Sequence, residues 1–360
     1  MMTTNQRERT VTSAYEQWVK SLGVPVHEGY YSGDLMTVEL GRWEERGCNA
    51  AFLLLFGQKG VSETRIMGIP PGKTTLPWRF ALDEIYYVLE GKGLTTVWST
   101  EHGARKTFEW QKNSLFMIPR QSFRQLTNAQ GDKPARLLAY NYLPFVMEAV
   151  EDPAFFFNNP YVLSQGTGSG ELYSEAKQQP NERGGGSRWH GNFFPDMKAW
   201  DKLDPFRERG AGGHVVWISF PNSPHAAHMS VFPSRTYKKA HRHGPGTFIV
   251  IPAGEGYSFL WEEGKEKIFC PWHEASCFSP GYQWFHQHFN VGATPARYLA
   301  IGRPQLLAFR DQPQIEYPDE DPWIRQNFEK ELAKRGLTSL MPDEIYKDRN
   351  YQWGYAEDKE

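Results

Sequence analysis

Short alternating runs of apolar and polar residues cover most of the chain, broken every few positions by glycine, proline or asparagine. MTVEL, NAAFLLLF, TRIMGIPPGKTTL and DEIYYVLEGKGLTTVW, all between Val24 and Trp98, are strand-sized pieces of this kind. The alternation continues from Phe108 to Tyr142, with turns at QKN and NAQGDKP. Period-two patterning between turn residues predicts β-strands. From Leu143 to Arg207 the pattern fades into a stretch rich in Asn, Gly, Pro and Phe, read as a connection and loose at 184–186. Strand patterning returns at His214 and runs to about Phe309. Helices are expected only at the ends. TVTSAYEQWVKSLG predicts a short one ending at Gly23, and DEDPWIRQNFEKELAKRG a longer one, capped by Asp321, with Pro322 in the first turn and Gly336 as terminator. The second is expected to pack on the outside of the sheets or on a partner subunit.

Composition agrees with this all-β reading. Aromatic residues make up 15% of the 360, and 33 Gly and 25 Pro favour tight turns over a helical bundle. A formal net charge of −2 without a basic stripe gives no reason to expect nucleic acid as a partner. No apolar run reaches the roughly 18–20 residues of a membrane span. The start, MMTTNQRERT, lacks the apolar segment of a signal peptide. Cys48, Cys270 and Cys277 are odd in number and lack metal-ligand spacing, so reduced thiols and a cytoplasmic location are expected.

The two β regions repeat each other. EGKG at 90–93 aligns with AGEG at 253–256, which brings Trp98 onto Trp261 and Trp78-Arg79-Phe80 beneath His241-Arg242-His243. SFRQLTN at 122–128 lies against WFHQHFN at 284–290, and PARLLA against PARYLA, so Arg124 holds the slot of His286. The first copy keeps the scaffold residues and lacks all three histidines. His241 and His243, two apart in a strand, would point to one face, and an antiparallel neighbour would bring His286 opposite them.

These residues resemble the cupin superfamily, and the doubling resembles a bicupin. The first cupin motif is roughly Gly, five residues, His-x-His, three or four residues, Glu, six residues, Gly. His241, His243 and Gly254 match it, while Thr247 or Phe248 stands in the glutamate slot. His286 and Asn290 match the second motif, with Pro280 and Gly281 just before. The resemblance implies two jelly-roll barrels in one chain. Residues 1–23 would form an N-terminal arm and 24–145 a barrel without metal ligands; 146–207 a connection; 208–310 the metal-binding barrel; and 311–360 a helical tail. Four-ligand cupins such as oxalate decarboxylases and quercetin dioxygenases match less well than the three-histidine gentisate dioxygenase group. That group implies a homo-oligomer and ferrous iron, although it usually keeps its metal in the first barrel.

The expected function is therefore a mononuclear iron(II) dioxygenase, an oxidoreductase using dioxygen on a small aromatic or unsaturated acid. Metal ligands would be His241, His243 and His286, and three imidazoles without a carboxylate leave the ion's full charge for an anionic substrate. His288 is the candidate catalytic hydrogen-bonding group or base, and Tyr257 and Trp284 are candidate pocket residues by strand parity. Neutral imidazole suits Fe, Zn, Cu and Ni alike, and Zn, Mn or Ni could stand in place of iron. The alternatives are a Zn-, Mn- or Ni-dependent isomerase, lyase or decarboxylase and, below either, a non-catalytic binding bicupin.

Overall fold

The computed structural model describes residues 12–157, 159–161, 173–181, 187–302 and 313–356; the stretch at 184–186 expected to be loose lies outside them, as does Phe309. Two jelly-roll barrels follow each other, each made of a larger and a smaller sheet. In the first barrel the larger sheet is built on Cys48–Leu55, Glu63–Ile69, Ala135–Asn141, Glu84–Glu90 and Leu115–Ile118. Its smaller sheet orders Trp78–Phe80, Ser122–Asn128, Lys92–Trp98 and Lys106–Gln111. The second barrel repeats this with His214–Ser219, Ala226–Phe232, Ala296–Gly302, Phe248–Ala253 and Cys277–Phe278 in the larger sheet. Ala240–His241, Phe285–Asn290, Gly256–Trp261 and Ile268–Trp272 form the core of the smaller one.

The repeat extends to individual contacts. Gly91 and Gly254 both have positive φ, 95° and 102°. A Cβ on either would strike an alanine, Ala135 at 2.9 Å or Ala296 at 2.6 Å, so glycine is required twice. Trp110 donates to Thr95 and Trp272 to Ser258, each at 3.0 Å. Asn128 and Asn290 each donate to three backbone carbonyls, one in the following turn and two at the end of an earlier strand, Glu63–Ile69 or Ala226–Phe232.

Each barrel also lends a strand to the other. Tyr31–Ser32 pairs with Cys277–Phe278 of the second barrel, and Phe193–Phe194 pairs with Leu115 and Phe116 of the first. Between the larger sheets lies a shared apolar core that includes Leu53, Ile66, Leu138, Met229, Val250 and Leu299. This burial joins the barrels into one body.

Both terminal helices form. Ala14–Ser21 is capped by Ser13, and Gly23 follows with φ of 66°. Pro322–Ala333 is capped by Asp321, which accepts from the Trp323 amide at 3.0 Å, and Gly336 follows with φ of 69°. The second helix buries Ile324, Phe328 and Leu332 on the outer face of the second barrel's smaller sheet. Among the described residues no helix is long and apolar enough to cross a membrane. All three cysteines are free and buried.

Candidate metal centre

His241 lies at the end of its short strand, directly opposite His286. Opposed residues of an antiparallel pair share a face, so the two rings approach to 4.1 Å between centroids. His243, just beyond the strand, completes the group at 4.7 Å from His286 and 5.7 Å from His241. One ligand atom from each imidazole falls within 4.8 Å of the others, and no carboxylate or thiol among the described residues joins them.

The donor set fits a divalent metal. Burial drives His241 and His286 well below the usual histidine range, helped in His286 by His243 and His288 and in His241 by His286, so both stay in the neutral, ligating form. Both bury an Nδ1 with no hydrogen-bond partner. His243 Nδ1 lies 2.8 Å from the Gly244 carbonyl. A carbonyl only accepts, so this nitrogen carries the proton and Nε2 is left as the ligand atom. By strand register Thr247 is the counterpart of Glu84, since Phe248 pairs with Ile301 as Ile85 pairs with Tyr140. Phe248 belongs to the inter-barrel core. The fourth cupin ligand is absent, and a threonine stands in its slot.

His288 lies in the same barrel interior, with its ring 5.4 Å from His286. Ser258 Oγ accepts from Trp272 Nε1 and lies 2.8 Å from His288 Nδ1. The arrangement that leaves no hydroxyl proton unpaired has Ser258 donating to Nδ1, which puts the imidazole proton on Nε2. That Nε2 is buried without a partner. Burial, then Lys238, pushes His288 down to about 3. His288 is thus a neutral hydrogen-bond donor.

Of the two pocket residues expected by parity, Tyr257 lies elsewhere. His286 pairs with Leu260 and His288 with Ser258, so the even positions of Gly256–Trp261 face the histidines. Tyr257 pairs with Phe289 and stacks on it at 4.5 Å, and its hydroxyl accepts from Asn327 of the C-terminal helix. Tyr257 therefore lies on the outer face of the sheet, and the inward position is Ser258. Trp284 precedes its strand and packs on Tyr30 and Phe56 and against the apolar cluster of the second barrel that includes Leu260, Phe278 and Tyr298. Parity within one strand does not say which face is inward; the pairing does.

Sequence reasoning missed Lys238, His228, Ser258 and Tyr298, which line the interior beyond His288. Tyr237 bridges to Phe289, whereas His241 pairs with His286, so the register slips by one between them. The slip turns Lys238 inward along with His241 despite their opposite parity. Burial lowers its ammonium well below the usual lysine value, with Arg209 adding to the effect.

Fold and site together define a bicupin whose three-histidine group lies in the second barrel. The chain belongs to the family of an uncharacterized Methanocaldococcus jannaschii protein, MJ1618: the two are 33% identical over 95 residues, 26% of this chain and 70% of that protein. No family model matches the chain. Among solved structures it is similar to the Lactobacillus farciminis oxalate decarboxylase–formate complex, with a TM-score of 0.52, 11% identity and coverage of 83% of this chain and 92% of that one. A Bacillus subtilis oxalate decarboxylase studied for its Mn(II) centres gives a TM-score of 0.51 at 11% identity, covering 90% of this chain and 87% of that one.

These neighbours share the two-barrel fold and overturn the expected iron(II) dioxygenase. They are decarboxylases, and they bear on the cupin superfamily at large without singling out the gentisate dioxygenase group. The ligand set misled because three imidazoles suit several metals and several reactions equally. The oxidoreductase class, dioxygen as a partner and the preference for iron depended on that reading and go with it.

Proposed function

We propose that the protein is a metal-dependent cupin decarboxylase acting on a small anionic organic acid. What supports this most is the buried group of His241, His243 and His286, set in the two-barrel frame shared with oxalate decarboxylases. These three side chains would hold a divalent ion, Mn(II) before Zn(II) or Ni(II) because a structural neighbour is known for its Mn(II) centres. Such an ion, when bound, supplies charge that orients and polarises a carboxylate.

The chain's own residues do the rest. Three imidazoles and Thr247 bring no negative charge to the site, so an anionic substrate meets no carboxylate there. His288, with its proton on Nε2, donates to a substrate oxygen and orients it. Burial of His241, His286 and His288 keeps water away from the reacting group.

The test is carbon dioxide release from a panel of small acids under argon, comparing wild type with His241→Ala. Release without oxygen, lost in the variant while its fold is retained, is the expected result. Turnover that strictly requires oxygen, or no release from any acid, contradicts the proposal.

A further inference from the structure

Lys238 is fully buried inside the second barrel. Its Nζ has no hydrogen-bond partner and lies over the rings of Phe206, Phe232 and Tyr298, at 4.5, 5.6 and 5.8 Å. Among the described residues the fully buried carboxylates are Glu63, Asp83 and Glu84, all in the first barrel. The second interior therefore holds an amine with no counterion, and burial disfavours its charged form until an anion joins it.

The internal repeat sets this lysine beside the residues in which the two copies differ. The backbone of Lys238 donates to His288 as that of Thr75 donates to Leu126. The first barrel thus carries threonine and leucine where the second carries Lys238 and His288. Lys238 and His288 are replaced in the same copy that lacks the three metal-ligand histidines.

These groups follow one another in contact. From the three imidazoles the path runs through His288, 5.4 Å from His286, to Tyr298, 4.7 Å from His288, and then to Lys238. His288 Nε2 is also without a partner along this path. His228 flanks this path, packed among Phe206, Trp217 and Tyr298.

We propose that Lys238 binds the far anionic group of a substrate whose near carboxylate is held at the three histidines. The substrate is then a dicarboxylate with a spacer between its acid groups, longer than oxalate. This rests on the proposed metal-bound carboxylate and deepens it.

The test is calorimetric binding of oxalate, malonate, succinate and glutarate, each against the monocarboxylate of equal chain length, to Mn(II)-loaded protein. Wild type is expected to prefer at least one spaced diacid over its monoacid by tenfold or more. Lys238→Met is expected to lose that preference while metal content and monoacid affinity stay. Lys238→Gln replaces the methionine variant if that one melts early, and Lys238→Arg is expected to keep the preference in part. A diacid preference unchanged in both neutral variants overturns the inference, as does a wild type that binds no spaced diacid. The two proposals fail separately. Diacid binding that depends on Lys238 without carbon dioxide release removes the decarboxylase reading alone. Release with a diacid affinity indifferent to Lys238 removes this inference alone.

Discussion

Strand pairing sets Arg124 opposite Trp78 in the first barrel and His286 opposite His241 in the second. Around these equivalent pairs the two interiors are filled by opposite means. In the first, Glu84 accepts from Arg124 at 3.0 Å and is also bonded by Arg65 and Tyr86, while Glu63 takes Arg65 and Asn141. Trp78 and Phe80 occupy the places of His241 and His243, and both are buried. Two carboxylates and two guanidiniums cancel, so this interior is complete by itself. The second has His228 where the first has Arg65 and Thr247 where it has Glu84, by the register of their sheets. Its buried histidines and Lys238 lack that internal balance. One scaffold can thus be closed by ion pairs or left open for a metal and an anion, and the difference lies in a handful of inward positions.

Exchanging those positions is the harshest test of this comparison. His286→Arg copies the first barrel's solution without its glutamate. It is expected to abolish metal binding and to destabilise the chain by about 3–5 kcal/mol, the cost of an unpaired buried charge. Denaturant unfolding and metal analysis check both effects; retained metal would break the comparison. Glu84→Gln is expected to cost a similar or slightly smaller amount, about 3 kcal/mol, because Arg65 and Arg124 lose their shared partner. Metal content should be unchanged, since the two interiors are separate. Metal loss in that variant would show that they are coupled.

Acid should also separate the barrels. Burial pushes His228 and His288 down to about 3, and His241 and His286 lie well below the usual 6.5. As pH falls through 6.5 the unfolded chain binds these protons and the metal-free folded chain does not. Stability is therefore full above that value and declines below it, by up to about 1.4 kcal/mol per pH unit for each histidine. Glu320, raised by burial to about 7, takes up a proton when folded and offsets one of the four. In the first barrel burial raises the Glu84 carboxyl, but Arg65 and Arg124 outweigh it and hold it below the usual 4.5. Its contribution is lost only as pH falls through that lower value. Amide hydrogen exchange of the metal-free protein at pH 7 and pH 5 should show protection falling mainly in the second barrel. An equal fall in both contradicts the assignment.

The mildest contrast is between Ser258 and Thr95, which accept from equivalent tryptophans. Ser258→Ala also frees His288, so turnover should drop roughly tenfold with metal retained, within the range for groups that orient site residues. Thr95→Ala should cost only about 1 kcal/mol of stability and no turnover. Equal activity losses in the two variants would argue against a role for His288.

Much of this was legible in the sequence because the chain carries its own control. The aligned glycines, tryptophans and PAR–LA segments gave the register, and the structure pairs the strands in that register. Arg124 in the slot of His286 follows from the same alignment. What could not be read depends on pairing rather than periodicity. Tyr257 alternates correctly with its neighbours, yet only the pairing of Ser258 with His288 shows which side is inward. Lys238 is hidden by the one-residue slip before His241. The exchanged strands Tyr31–Ser32 and Phe193–Phe194 span two residues each, too short to carry any period. The reaction was the least legible part, since the same three imidazoles serve oxygen-dependent and oxygen-independent chemistry.

The proposed function needs one metal centre, in the second barrel, made by His241, His243 and His286. Elemental analysis of natively purified protein, alongside His241→Ala, tests it most directly. About one divalent ion per chain is expected in wild type and nearly none in the variant, since the centre has only three protein ligands. Two ions per chain, or full retention after loss of His241, would contradict it.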